Sequence, residues 1–179
     1  MLDMEKLGRM GTECGFTHVA PLDVSTITLL QDVRDMCAAN TCGQYGKNWC
    51  CPPGVGEIPE LEERVRKYKK GILVQTVGEL EDSMDWEGMM EAEQQHKKSF
   101  NKMHRLLEEE YPDLLAIGSG TCTRCKECTY PDQPCRFPNN TFGSMEAYGM
   151  LVSEVCKKND LAYNYGPKTT SYTACFLID

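Results

Sequence analysis

The distribution of cysteines constrains this chain more than any other feature. Eleven cysteines occur among 179 residues, and eight of them fall in two short segments, 37–51 and 122–135. The first residues, Met-Leu-Asp-Met-Glu-Lys, contain no apolar signal segment, so we expect a cytoplasmic protein. Cytoplasmic thiols are kept reduced, and clustered cysteines there usually bind a metal or carry out redox chemistry rather than form disulfides. The two segments are therefore predicted metal-binding loops.

The second segment has the more diagnostic spacing. Its cysteines follow the pattern C-x2-C-x2-C-x6-C. Three cysteines at intervals of three residues can surround one metal centre, and the pattern is similar to the bacterial ferredoxin run C-x2-C-x2-C-x3-C-P with a longer last gap. Zinc is the alternative metal, but structural zinc sites favour two separate C-x2-C pairs. The spacing therefore predicts an iron–sulfur cluster of the [4Fe–4S] type, bound by Cys122, Cys125, Cys128 and Cys135.

The first segment contains four cysteines in a looser arrangement. Cys37 and Cys42 are followed by the adjacent pair Cys50 and Cys51. Neighbouring cysteines rarely bind one metal in relaxed geometry, which predicts three ligands, namely Cys37, Cys42 and one of the pair. A cluster held by three cysteines keeps one iron open to a substrate, a small thiol or a partner's ligand. Two alternatives stay open here: both segments converge on a single cluster, or the first segment is a turn with packed thiols.

Longer motifs around both segments resemble a known family. They are Tyr45-Gly46-Lys47-Asn48-Trp49, Cys51-Pro52-Pro53, Pro134-Cys135-Arg136-Phe137-Pro138 and Ser144-Met145-Glu146-Ala147-Tyr148-Gly149. With these motifs the chain is similar to DUF2284, a family of predicted metal-binding proteins. The resemblance implies metal or iron–sulfur binding, in proteins found largely in anaerobic bacteria and archaea, and it carries no settled activity. It also implies that Cys51, which precedes two prolines, is the ligand rather than Cys50.

The hydrophobic pattern predicts a single α+β domain over residues 1–179, with a mixed or antiparallel sheet flanked by helices. The two cysteine-rich metal-binding loops are expected at one end of it. The order of elements shows no βαβ repeat and no G-x-G-x-x-G motif of a Rossmann domain. Predicted strands cover residues 16–21, 72–77, 114–117, 161–165 and 172–178, and predicted helices cover residues 25–37, 58–68, 85–110 and 144–159.

Other residues with ligand chemistry fit better as core. His96 and His104 lie eight residues apart on one face of the long predicted helix, where they form either a metal-binding pair or core histidines. Cys156 and Cys175 fall on apolar stripes and are predicted core thiols, because a free cysteine packs as a small hydrophobic side chain. Cys14 is a weaker candidate for a fourth ligand of the first segment.

Composition narrows the function. The formal net charge of −8 disfavours nucleic-acid binding, and no apolar run is long enough for a membrane helix. The four-cysteine set predicts an electron carrier or an accessory protein of a redox complex, with a redox partner protein. One alternative is an enzyme or a sulfur- or metal-handling protein that uses an open iron beside Tyr45 and Lys47. Another is a binding module stabilised by zinc. The sequence identifies no catalytic pair and no oligomeric state.

Overall fold

A four-stranded antiparallel sheet forms the centre of the molecule. The computed structural model describes all residues, 1–179. The strand order is β1-β2-β4-β3, with every neighbouring pair antiparallel, so the predicted α+β class with an antiparallel sheet is confirmed. The long central pair is in register from Gly71 opposite Leu177 to Glu79 opposite Thr169. The strands are β1 (His18–Asp23), β2 (Lys70–Glu79), β3 (Leu115–Ile117) and β4 (Thr169–Leu177).

Five helices cover the two faces of this sheet. Side chains alternate along β2, so that Ile72 and Val74 face one hydrophobic cluster while Leu73 faces the other. The first cluster includes Leu7 and Met103, on the helices nearest the N-terminus and the middle of the chain. No helix combines the length and the apolar character needed to cross a bilayer. The helices are α1 (Met4–Cys14), α2 (Gln31–Ala38), α3 (Ile58–Val65), α4 (Trp86–Glu110) and α5 (Val152–Lys158).

Two helices begin later than the pattern predicts. Ser25 does not cap a helix, because the Asp23 side chain accepts from the Ser25 amide in a short 3₁₀ turn and α2 begins only at Gln31. The Ser144 hydroxyl accepts from the Ala147 amide, but it caps a single turn, and Gly149 then adopts a φ of 90° that ends it. In both cases the predicted first helical turns are replaced by a contact between the two segments, because the Leu30 amide donates to the Gly149 carbonyl.

The sequence-based assignment of secondary structure differs from the structure at two other places. The predicted strand 161–165 is an irregular loop, and α1 was not predicted. The long helix covers Trp86–Glu110, close to its predicted range, and the side chain of its N-cap Asp85 accepts from the Gly88 amide. In the second half of this helix Phe100, Met103 and Leu107 are buried in a hydrophobic cluster with residues of the sheet, whereas Trp86 and Met90 in the first half are exposed.

Candidate metal centre

The second cysteine segment is a long loop whose two ends meet. It leaves the sheet at the end of β3 and returns beside the same strand. The Gly118 amide donates to the Gly143 carbonyl (2.8 Å), and the Gly118 carbonyl accepts from the Met145 amide (3.1 Å). Residues 118–144 therefore project from one edge of the sheet as a unit anchored at its base.

The four predicted ligands of this loop line one cavity. Cys122, Cys125, Cys128 and Cys135 are partly buried free thiols around a narrow space of about 30 Å³. The remaining walls come mainly from polar residues of the same loop and from two residues of the first segment. These other residues are Asn48, Trp49, Arg124, Thr129, Arg136 and Thr141.

Hydrogen bonds to backbone and sulfur shape the loop around this cavity. The Cys135 sulfur accepts from the Phe137 amide (3.4 Å) and lies 3.2 Å from the Thr141 hydroxyl. The Arg136 guanidinium donates to the Glu127 carbonyl (2.9 Å). Amides that donate to cysteine sulfur are one means by which proteins tune a bound cluster. The loop thus presents thiols together with the donors that a cluster would use.

The first cysteine segment faces a different and wider cavity. Cys37 lies near the end of α2, Cys42 lies in an exposed turn, and Cys51 lies in the turn before Pro52. All three line a cavity of about 540 Å³. Cys50 does not line it, so the geometry agrees with the choice of Cys51. The opposite walls come from distant parts of the chain, including residues 144–147 and 171–173.

Asn48 joins the two segments. Its buried side-chain oxygen accepts from the amides of Cys50 (3.1 Å) and Cys51 (2.9 Å) and from the Cys50 thiol (3.0 Å). Its amide nitrogen donates to the Thr121 hydroxyl (3.1 Å), at the start of the second loop. An asparagine side chain that accepts from the backbone amide two residues later forms an Asx turn. Asn48 therefore fixes the orientation of the cysteine pair relative to the second loop.

Cys50 lines neither cavity and instead contacts both cysteine segments. It is 1% exposed, and its sulfur accepts from the Cys122 amide (3.1 Å). The Cys51 sulfur lies 3.5 Å from the Thr121 hydroxyl. Nearby, the Trp49 indole donates to the Gln133 carbonyl (3.1 Å). The two cysteine segments are thus in direct contact through Cys50, but each set of candidate ligands faces its own cavity.

The hydrogen bonds around Cys50 favour a neutral thiol at Cys50 and thiolates at Cys51 and Cys122. Hydrogen bonding to its cysteine neighbours and burial raise the pKa of Cys50. The Cys50 thiol in turn lowers the pKa of both Cys122 and Cys51, against the opposing effect of burial. Thiolate is the form in which cysteine binds metals. Both predicted ligands next to Cys50 are therefore biased towards the metal-binding form.

The wide cavity contains one carboxylate. Glu146 lies in the turn that follows Ser144; its residue surface is exposed, but the protein packed around it partly desolvates the carboxyl group and raises its pKa. Tyr45 also lines the cavity, as the sequence suggested, whereas Lys47 is exposed and does not. The sequence indicated Asn48 only as one of the polar residues beside the thiols of the first segment, and Glu146 only as part of a family motif. The signal for Asn48 was the polar residue directly before Trp-Cys-Cys.

The remaining candidates are core residues. His96 is 1% exposed, and its Nδ1 lies 2.9 Å from the Thr76 hydroxyl, with no partner for Nε2. Burial lowers its pKa to about 4. His104 is also buried, and it packs against Phe142. The interpretation of both as core histidines is confirmed. The three cysteines outside the two segments, Cys14, Cys156 and Cys175, are buried in the hydrophobic clusters.

Seven thiols in two neighbouring groups are suited to soft, thiophilic metals. No three side chains of the types His, Cys, Asp or Glu converge in the geometry of a single-ion site. Comparison with curated proteins and with solved structures found no match. The family model described as "Predicted metal-binding protein (DUF2284)" matches residues 20–178. This range includes both cysteine segments and all four strands except the first two residues of β1. The chain therefore belongs to the DUF2284 family of predicted metal-binding proteins.

Proposed function

We propose that this protein binds an iron–sulfur cluster of the [4Fe–4S] type through Cys122, Cys125, Cys128 and Cys135, and that the cluster transfers electrons. The observation that carries the proposal is the shared cavity of these four free thiols within one anchored loop. Four cysteine ligands are the usual set for such clusters. A cluster with four protein ligands has no open iron, which favours electron transfer or a structural role over substrate chemistry.

The size of the narrow cavity sets a condition on binding. A cubane of four irons and four sulfides is larger than a space of about 30 Å³. Most of the loop around it is exposed, including Arg124, Lys126 and Arg136, so these residues can move outward without disturbing the core. Metal binding that orders its own loop is common in small metal sites. The donor set fits a cluster, and the loop is placed where it can adjust to one.

Dithionite reduction followed by electron paramagnetic resonance tests the electron-transfer role. Protein purified without oxygen should show a reversible one-electron couple, with a visible spectrum that bleaches on reduction and recovers on reoxidation. The Cys128→Ala variant should lose this couple, whereas Cys156→Ala, which removes a core thiol, should keep it. If dithionite leaves both spectra of the wild-type protein unchanged, the electron-transfer proposal fails.

The wide cavity favours a second role for the first segment. Cys37, Cys42 and Cys51 supply three thiols beside open space, which suits a second cluster with one exposed iron. An exposed iron binds added ligands, so cyanide or a small thiol should shift the visible spectrum of the wild-type protein. The shift should vanish in Cys42→Ala and persist in Cys128→Ala. A spectrum that no added ligand changes would rule out the open iron.

A redox role requires a partner. The second loop carries its cysteines at an exposed edge of the molecule, where a cluster would lie near the surface. We expect a partner protein to dock at this edge and exchange electrons with the cluster. The chain would then act as an accessory protein of a larger redox complex.

A further inference from the structure

The wide cavity has the dimensions of a ligand site. Its volume of about 540 Å³ falls within the range of pockets that bind small organic molecules, about 300–1,000 Å³. Only part of its wall is formed by Cys37, Cys42 and Cys51. The rest is formed by residues of the first segment, the start of the second loop, the turn after Ser144, and α5, β4 and the loop between them, so a bound cluster would occupy one side and leave the other open.

The charged lining of this cavity has a single sign. Glu146 is the only ionisable carboxyl group there, and no lysine, arginine or histidine lines the cavity. Glu146 forms no ion pair within the protein. Thiolates on the cysteine side would add further negative charge. A ligand anion would therefore be repelled, whereas a ligand cation would supply the partner that Glu146 lacks.

Aromatic side chains complete the environment of this carboxylate. Tyr45 and Tyr163 line the cavity with 37% and 43% of their surface exposed, and neither hydroxyl group hydrogen-bonds to the protein. Tyr172 also lines it, and its hydroxyl donates to the Met89 carbonyl (3.1 Å). Tyrosine rings attract cations over their faces and pack against apolar groups. The walls therefore offer surface for an apolar or aromatic body as well as for a positive charge.

We propose that this cavity binds a small organic cation, an amine with an apolar or aromatic body, with its positive charge at Glu146 and its body between Tyr45 and Tyr163. The inference deepens the second role under the proposed function, because it names the class of molecule that would reach an open iron at Cys37, Cys42 and Cys51. Binding itself depends on the lining residues rather than on the metal.

Three compounds with the same indole ring and two-carbon arm, but with terminal groups of different charge, test this inference. Tryptamine is a cation at neutral pH, tryptophol is neutral and indole-3-propionate is an anion. Calorimetric titration of the full-length protein, purified without oxygen, should show tryptamine binding at least about tenfold more tightly than indole-3-propionate, the gain expected for one hydrogen bond to a charged group. Tryptophol should bind with intermediate affinity.

Three variants locate the effect. Glu146→Gln should bring the affinities of tryptamine and indole-3-propionate within about twofold of each other. The control Glu154→Gln, which neutralises an exposed carboxylate of α5 outside the cavity, should keep the wild-type preference. Tyr163→Ala should weaken all three compounds and keep the preference, and it remains informative if Glu146→Gln fails to fold.

Repeating the titration after removal of iron with a chelator separates this inference from the proposed cluster. A preference for tryptamine that persists without iron supports the cavity assignment even if metal analysis finds no cluster. Equal affinities for the three compounds, a preference for the anion, or no tryptamine binding up to about 10 mM would overturn the inference, whatever the metal content.

Discussion

The two cysteine loops use the same chemistry in opposite ways. In the second loop four cysteines come from 14 consecutive positions and surround a narrow cavity made largely by the loop itself. In the first loop three cysteines, Cys37, Cys42 and Cys51, come from a helix end and two turns, and they face a cavity of about 540 Å³ whose other walls belong to the rest of the domain. One set of thiols is local and narrow, whereas the other is assembled by the fold and lies beside open space.

Because the two loops differ in this way, we expect them to have different functions. A local set of four ligands can hold a cluster without help from the fold, which suits a redox centre near the surface. A set of three beside a cavity has room for a molecule next to the metal. Cys50 lies between the two segments in the fold, and its sulfur accepts from the Cys122 amide. We therefore expect that substitution of one cysteine ligand impairs only its own loop, whereas substitution of Asn48 impairs both loops.

Removal of single ligands should have the largest effect. Cys125→Ala should lower the iron content by about four atoms per chain, because it removes a ligand from a saturated four-cysteine set. Cys42→Ala should leave this cluster in place and affect only iron bound in the first loop. Iron and sulfide analysis of anaerobically purified variants measures both effects. Cys175→Ala is the matched control for loss of a thiol, and loss of the same iron in both ligand variants would mean that the loops share one cluster.

Loss of the Asn48 side chain should weaken both cysteine segments at once, because this side chain contacts both. Asn48→Ala removes an oxygen that accepts from two amides and a thiol, and it leaves these buried donors without partners. We expect the free energy of unfolding to fall by about 2–4 kcal/mol. Urea denaturation measures it, and Asn139→Ala, in an exposed part of the second loop, should cost less than about 0.5 kcal/mol. Equal effects of the two substitutions would contradict the role of Asn48.

Acid should lower the free energy of unfolding of the domain that carries both loops. Burial lowers the pKa of His96 to about 4 from an ordinary value of 6.5, so the unfolded chain binds more protons between these pH values. The free energy of unfolding should therefore fall as the pH drops through this window, by up to about 3 kcal/mol from this group. His96→Gln should remove that part of the pH dependence. An unchanged slope in the variant, measured by urea denaturation at pH 4 to 7, would show that His96 is not responsible.

The smallest expected effect is on the rate at which trypsin cleaves the second loop. Arg124, Lys126 and Arg136 are exposed in the second loop, whereas Lys47 is the one exposed basic residue between Cys37 and Cys51. A cluster that orders the second loop should slow trypsin cleavage at its three sites by about tenfold or more relative to chelator-treated protein. Mass spectrometry of the fragments identifies the sites. Equal cleavage rates with and without iron would argue against ordering by a metal.

The sequence predicted the local features of this molecule better than the assembled ones. The second-loop cysteines line one cavity, because three-residue intervals keep three of them close in a compact loop; that they bind a metal stays a prediction. The strand at 72–77 and the helix from Asp85 also follow from local pattern and capping. Glu146 was missed, because it enters the wide cavity only when the turn after Ser144 packs beside the first loop. Contacts between distant segments leave no periodic signal in the chain.

Metal analysis of the anaerobically purified wild-type protein tests the central claim most directly. Iron, acid-labile sulfide and zinc are measured together with the visible spectrum. The account predicts about four irons and four sulfides per chain, or about eight of each if the first loop also holds a cluster, with broad visible absorption. Stoichiometric zinc without iron or sulfide would contradict it, and the protein would then be a zinc-stabilised binding module.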